Sequence, residues 1–261
     1  MIKKNKNHGK NEERTAKYLE AFSREKTIKL LIDRKNPVIF DIGANNGSSL
    51  DEFSEWWPES FIHCFEPQDE CLEELNQSAQ KHSITGNAYI NHVAAGNKSN
   101  ESAEFYTHDI NSGVSGFNKI NMNSNDSIDL EKLGKENDEK KLDYEKTINH
   151  SREVPLMRLD DYIKNHDNRI DSVQLLKIDT QGFEPEVLEG LGEKLELVDV
   201  VITELMFYDF YERSLSFSDI EKYLLKANFQ LYDISHIAKN PMNGRTDWVD
   251  VIYVNKRILN K

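Results

Sequence analysis

A glycine-containing turn directly after an apolar run holds the first residues with chemical potential. The turn reads Asp41-Ile-Gly-Ala-Asn-Asn-Gly47 and precedes a predicted helix. Gly43 and Gly47 permit a tight backbone that approaches a ligand closely, and the Asp41 carboxylate can accept hydrogen bonds from an amine. Because a dinucleotide site would need the third glycine of the pattern GxGxxG, the spacing favours the zwitterionic methionyl end of S-adenosylmethionine. The predicted contacts are Asp41, Gly43, Asn45 and Gly47.

A second acidic residue, Glu66, lies 25 residues past Asp41 at the end of the next apolar run. In nucleotide-binding sheets an acidic residue near this place accepts hydrogen bonds from the ribose hydroxyls. Taken alone, a glutamate at a strand end is as readily a solvated charge. Its position relative to the glycine turn predicts a ribose contact, and Pro67 and Ala94 complete the predicted cofactor site.

Three further residues could act on an acceptor molecule. Asp179 follows the apolar run 173–178, Glu204 ends the next run, and His236 follows a later one. Because parallel strands end at one edge of a sheet, Asp179 and Glu204 are expected near the transferable methyl group. A hydroxyl nucleophile needs a general base or a metal that lowers its pKa. The predicted catalytic residues are therefore Asp179, Glu204 and His236. Asp179 and Glu204 are also the predicted ligands if Mg or Mn takes part. The alternative role of these two carboxylates is to accept hydrogen bonds from nearby backbone amides.

Apolar runs alternate with helical patterns along the chain, which predicts a doubly wound α/β domain with a mostly parallel sheet. The predicted strands begin near Pro37, Phe61, Ala88, Val173, Val198, Phe229 and Val249. The predicted helices cover parts of 10–34, then Ser48 to Trp57, Asp69 to His82, Pro185 to Leu191 and Ile220 to Ala227.

One domain is expected over residues 37–255, preceded by a helical extension at 1–36 and followed by a tail at 256–261. The pattern breaks between 118 and 153, where Asn, Lys, Glu and Asp dominate and aromatic residues are few. Such a segment buries little apolar surface, so a mobile insertion is one interpretation. A lid that covers the substrate is the other, because long loops in compact domains often carry function.

The charge balance bears on the class of partner. Lys and Arg number 33 against 46 Asp and Glu, a formal net charge of -13. This balance disfavours a surface that wraps nucleic acid phosphates. Two cysteines without a zinc spacing exclude a disulfide framework. The basic start of the chain lacks the apolar run of a secretory signal and no stretch is long and apolar enough to span a bilayer, so a cytoplasmic protein is expected.

Three stretches make the chain resemble the FkbM-type methyltransferases over roughly residues 37 to 255. They are Phe40-Asp-Ile-Gly-Ala-Asn-Asn-Gly47, then Phe65-Glu-Pro67, and Leu176-Lys-Ile-Asp-Thr-Gln-Gly-Phe-Glu-Pro-Glu-Val-Leu-Glu-Gly190 with Glu204 on the next strand. The third stretch is the specific one. The resemblance implies a Rossmann-like class I fold with seven strands and helices on both faces, S-adenosylmethionine as methyl donor, and a sugar or polyketide hydroxyl as acceptor.

Two departures from the family pattern bear on the site. Many members have Glu where this chain has Gln181, which argues against position 181 as a catalytic acid, and the insertion at 118–153 is longer than usual. The resulting hypothesis is O-methylation of a sugar or glycan hydroxyl, including that of a surface-polysaccharide precursor. The alternatives are an inactive scaffold of the same fold and an NAD-dependent oxidoreductase. Five aromatic residues could stack on a sugar: Trp56, Trp57, Tyr208, Phe210 and Tyr211. The alternative is that they pack in the core or in a homo-oligomer interface.

Overall fold

The structure, a computed structural model, describes residues 11–109, 111–124, 146–166, 169–241 and 243–259. The strands of this part are β1 Val38–Ile42, β2 Phe61–Phe65, β3 Asn87–Asn91, β4 Ala94–Ala95, β5 Glu101–Thr107, β6 His150–Met157, β7 Val173–Ile178, β8 Val198–Met206, β9 Phe229–Lys239 and β10 Thr246–Asn255. The helices are α1 Asn11–Ala21, α2 Arg24–Leu31, α3 Ser48–Trp56, α4 Leu72–His82, α5 Leu159–Asn165, α6 Glu184–Leu191, α7 Phe217–Leu224 and α8 Lys256–Leu259.

Seven strands form the main sheet in the order β3-β2-β1-β7-β8-β10-β9. Every neighbouring pair is parallel except the two that involve β10, which is antiparallel to both β8 and β9. The central strand β7 is buried along its whole length, as expected of a parallel strand covered on both faces. The predicted doubly wound, mostly parallel seven-stranded sheet is confirmed.

Each face of the sheet carries its own apolar core. Ile28 of α2 and Phe53 of α3 pack with α4 over one face. Leu159 of α5 and Leu188 of α6 pack with α7 over the other. The helices therefore lie on both faces, as predicted, and α2 belongs to the core although it precedes the first strand. Among the helices of the described ranges, none combines the length and the apolar character that crossing a membrane requires.

A small second sheet, in the order β4-β6-β5, was not predicted. The predicted strand from Ala88 to Ala94 divides, because β3 stays in the main sheet while β4 pairs with β6. Strand β6 starts at His150, inside the stretch interpreted as an insertion, whose residues 125–145 lie outside the described residues. Both β5 and β6 are rich in polar residues, so they lack the apolar run by which the other strands were predicted.

The register brings the ends of the central strands to one level. Ile42 pairs with both Phe65 and Ile178, and Ile178 pairs with Thr203. The residues that follow these positions therefore emerge together at the carboxyl edge of the sheet, where open α/β sheets bind ligands.

Candidate active site

The turn between β1 and α3 needs backbone angles that most residue types adopt only at an energetic cost. Gly43, Asn45 and Gly47 all have positive φ, at 75°, 47° and 93°. At Gly43 a Cβ atom would lie 1.9 Å from the carbonyl oxygen of Asp179. Glycine is thus required at position 43, because the first turn packs directly against the turn that follows β7.

Glu66 ties this turn to the end of β2. Its side chain is buried, with Oε2 accepting from the Asn45 amide at 2.8 Å and Oε1 accepting from the Gln68 amide at 2.9 Å. Burial raises the pKa of Glu66, while these amide hydrogen bonds oppose that shift. Each carboxylate oxygen keeps a second lone pair, so the group can still accept from a ligand hydroxyl.

Both turns open into a cleft at the carboxyl edge. Five of the seven predicted cofactor residues line it: Gly43, Asn45, Glu66, Pro67 and Ala94. The structure adds residues that sequence reasoning missed: Gln68, Ala95, Phe105, Ser112, Ser115 and Phe117. Several of these belong to β5 and to the loop after it, which covers the cleft.

The loop that covers the cleft is hydrogen-bonded to the turns that follow β1 and β2. Ser112 Oγ donates to Asn45 Oδ1 at 3.1 Å, and Gln68 Nε2 donates to the Ser112 carbonyl oxygen at 3.2 Å. Phe117 stacks on Phe183 with ring centroids 4.1 Å apart. No local motif marks this loop in the sequence, because its role depends on contacts with residues far away in the chain.

Asp41 and Gly47 do not line the cleft. The Asp41 carboxylate is fully buried, with Oδ1 3.1 Å from Lys177 Nζ. Lys177 Nζ also donates to the Gly43 carbonyl oxygen at 2.7 Å. Burial raises the pKa of Asp41, with Lys177 opposing, and although burial favours neutral Lys177, the facing carboxylates raise the pKa of Lys177. The contact of Asp41 with a methionyl amine stays a prediction. In this structure the Asp41 carboxylate faces Lys177.

Asp179 comes directly after β7 and lines the same cleft. Its side chain is 41% exposed, and Oδ2 lies 3.7 Å from Lys177 Nζ. Gln181 Nε2 donates to Asp179 Oδ1 at 2.7 Å. Glu184, buried one turn later, accepts from the Thr180 amide at 2.9 Å and from the Gly182 amide at 3.3 Å, which fixes the loop on which Asp179 stands.

Glu204 and His236 join Asp179 at this edge, one and three strands over. Asp250 of β10 pairs in register with Glu204 on β8 and with His236 on β9, so these three side chains form a row. Sequence analysis missed Asp250, because the register of the last two strands cannot be read from the sequence. Burial and the neighbouring carboxylates of Asp179 and Asp250 raise the pKa of Glu204 to about 9. Glu204 is therefore protonated at neutral pH.

Glu204 lines a second hollow together with Gly182 and Tyr208. Tyr208 lies 6.3 Å from Trp248 between ring centroids, and Trp248 lies 6.4 Å from His236. Arg245 covers the Tyr208 ring at 5.7 Å. Of the other aromatic residues named from the sequence, Trp57, Phe210 and Tyr211 are buried and so belong to the packed interior.

Within the described ranges, no group of three or more His, Cys, Asp or Glu side chains is arranged to hold a metal ion. Binding of Mg or Mn by Asp179 and Glu204 stays a prediction from the sequence.

Residues 41–231 match the family model described as the Methyltransferase FkbM domain. The chain belongs to this family. FkbM membership confirms the resemblance seen in the motifs, and with the strand order it identifies a class I fold. The chain is accordingly an S-adenosylmethionine-dependent methyltransferase rather than an NAD-dependent oxidoreductase.

One relative of this FkbM protein is the 2-O-methyltransferase NoeI of Sinorhizobium fredii (strain NBRC 101917 / NGR234), which is 24% identical over 198 residues, covering 71% of this chain and 70% of the relative. Two solved structures are also similar. TrmK of M. capricolum with bound S-adenosylhomocysteine is 12% identical at a TM-score of 0.46, covering 90% of this chain and 69% of that one. ChlM of Synechocystis PCC 6803, a magnesium protoporphyrin IX methyltransferase with bound S-adenosylmethionine, is 10% identical at a TM-score of 0.45, with 93% and 81% covered.

Proposed function

We propose that this enzyme transfers the methyl group of S-adenosylmethionine to a hydroxyl of a sugar or glycan, with Asp179 as the general base. The observation that carries the proposal is the half-exposed Asp179 carboxylate at the junction of the donor cleft and the acceptor side of the sheet edge. The similarity to a 2-O-methyltransferase supports transfer to oxygen.

On the donor side, we assign the ribose to Glu66 and the methionyl end to the turn from Gly43 to Gly47. Glu66 is buried and lines the cleft, and it retains accepting capacity beyond its two amide partners. Asp41 is proposed to act from behind the turn, by holding Lys177 against the Gly43 carbonyl. When bound, the donor supplies a methyl group on a positively charged sulfur.

On the acceptor side, Asp179 is the better base because Glu204 is protonated at neutral pH. As the acceptor oxygen bonds to the methyl carbon, its proton passes to Asp179 and the carbon–sulfur bond breaks, leaving a neutral thioether. Protonated Glu204 can donate a hydrogen bond to another hydroxyl of the acceptor. His236, beside Asp250, is proposed to contact the acceptor rather than to take its proton.

The mixture of groups at this edge supports a carbohydrate acceptor. Trp248 offers a half-buried ring for the apolar face of a pyranose. Glu204 and Asp250 lie beside it and can bind several hydroxyls at once. A flat aromatic acceptor would gain from the ring but leave these polar groups without partners, which is unfavourable in a partly desolvated site.

The test is a screen of free sugars, nucleotide sugars and glycan oligomers, with release of S-adenosylhomocysteine and the mass of the product as readouts. Methylation of a sugar hydroxyl by the wild type, lost in Asp179→Asn, is the expected result. Turnover only with non-carbohydrate hydroxyls would overturn the acceptor assignment. Failure to bind the donor in calorimetry would overturn the donor site itself. A cytoplasmic location, a homo-oligomer and the absence of a nucleic acid partner stay predictions from the sequence.

A further inference from the structure

Asp179 is the end of a chain of side chains that starts in the interior. Gln181 Nε2 donates to Asp179 Oδ1 at 2.7 Å, and the Tyr211 hydroxyl donates to Gln181 Oε1 at 2.8 Å. Tyr211 is 4% exposed, and it lies in the loop between β8 and α7. A buried phenol therefore contacts the proposed base through one intervening amide.

The direction of these hydrogen bonds is set by their chemistry. A carboxylate can only accept, so the amide of Gln181 must turn its NH₂ group towards Asp179 and its oxygen towards Tyr211. The phenol then has to donate, and its one hydrogen is shared with the Val114 carbonyl oxygen, also at 2.8 Å. Because burial and nearby carboxylates raise the pKa of Tyr211 well above its ordinary value, the phenol keeps this hydrogen.

We propose that Tyr211 and Gln181 are positioning residues that aim the Asp179 carboxylate at the acceptor hydroxyl. This inference rests on the proposed role of Asp179 as base. Gln181 Nε2 already donates to Oδ1, so we assign the proton of the acceptor to Oδ2, the oxygen on the side of Lys177 and the one without an amide partner. A neutral amide at position 181 also places no second negative charge beside the proposed base.

The backbone of Gln181 is held without help from its side chain. It has a φ of 56°, its carbonyl oxygen accepts from Asn118 Nδ2 at 3.1 Å, and Gly116 packs against its Cβ. The loop is further clamped by Glu184. Substitutions of the Gln181 side chain are therefore expected to leave the loop folded, so that their kinetic effects can be interpreted.

The experiment compares Tyr211→Phe, Gln181→Glu and Asp179→Asn in the full chain. Tyr211→Phe removes the hydroxyl that orients the amide, so kcat should fall roughly 10-fold or more through misalignment, with donor Kd unchanged. Gln181→Glu puts a carboxylate beside the base, so the acidic limb of the kcat/KM pH profile should move up by about one unit. Activity of Gln181→Glu should then recover at higher pH, which a merely structural role would not produce.

The control is Tyr253→Phe, which removes another buried phenol, one that donates to Glu221 at 3.2 Å in the core beneath α7. It should leave kcat and the pH profile unchanged even if the melting temperature drops. Wild-type kinetics in both Tyr211→Phe and Gln181→Glu, with Asp179→Asn inactive, would overturn the positioning role alone. Wild-type turnover in Asp179→Asn would instead overturn the proposed base.

Discussion

The two halves of the sheet edge are built from different parts. The donor half, the part proposed to bind S-adenosylmethionine, is made largely of backbone: turns with positive φ at Gly43 and Asn45, and amides bound by Glu66. The acceptor half, the part proposed to bind the sugar, is made of side chains that come from distant parts of the chain, above all Asp179, Glu204 and Asp250. A site built on the backbone of short turns constrains the few residues that form those turns, whereas a row of side chains can change one strand at a time. The same fold can thus keep its donor while its acceptor varies.

The largest expected effect separates chemistry from donor binding. Asp179→Asn keeps the shape of the side chain and removes its charge, so turnover should fall on the order of 10²-fold or more for loss of a general base. Donor affinity should stay within a few fold, because the base acts mainly in the transition state. Single-turnover kinetics with calorimetry of donor binding measures both, and a large loss of affinity would show that the two halves are not separable.

The donor half should fail in the opposite way. Glu66→Ala removes a charged hydrogen-bond partner and should weaken donor binding by roughly 1.5 to 3 kcal/mol. Glu66→Gln is the matched control, since it keeps one accepting oxygen and should lose less. Calorimetry with S-adenosylmethionine provides the measurement, and equal affinity in Glu66→Ala and the wild type would remove the ribose assignment.

A smaller effect is expected at the aromatic residue of the acceptor half. Trp248→Ala should raise the KM for the sugar roughly 3- to 10-fold, the value of one aromatic contact, with donor Kd unchanged. Trp248→Phe keeps a ring and should restore most of the affinity. An unchanged acceptor KM in Trp248→Ala would place the sugar elsewhere along the edge.

The smallest effect concerns stability. Glu204 holds its proton up to a pKa of about 9 in the folded chain, against an ordinary value of 4.5 in the unfolded one. The folded state therefore binds more protons between these values, and the free energy of unfolding falls as pH rises through them. Glu204→Gln cannot ionise, so it should be more stable than the wild type at pH 8, by about 1 kcal/mol or more, which corresponds to 2–4 °C or more in Tm. Tm is measured for both proteins from pH 5 to pH 8. If Tm changes with pH by the same amount in both, the pKa assigned to Glu204 is wrong.

The same contrast explains what the sequence could and could not predict. Gly43, Asn45 and Glu66 were predicted to lie together, and they do line one cleft, because a tight turn and a strand-end acid are each marked by a short local pattern. Asp250 was missed because its place depends on the register of an antiparallel strand. Asp41 was expected in the cleft, yet its carboxylate faces Lys177, since spacing alone does not tell which side of a turn a side chain occupies.

The cover of the cleft was missed for a related reason. Strand β5 and the loop from Ser112 to Phe117 carry few apolar residues, and they are ordered by contacts with Asn45, Gln68 and Phe183. Such pairings join residues that lie far apart in the chain. A single sequence shows which hydrogen-bond donors and acceptors are present, but it does not show which of them pair in the fold.

The close approach of Gly43 to Asp179 has a consequence for how this enzyme could be altered. The Asp179 amide donates to the Ile42 carbonyl oxygen at 3.0 Å, and its own carbonyl fills the space that a side chain at position 43 would need. This contact fixes the distance between the turn proposed to bind the methyl donor and the proposed base. New acceptors can therefore be sought by randomising Tyr208, His236 and Trp248, since these changes leave that distance constant. Any residue larger than glycine at position 43 would instead increase the distance for every acceptor.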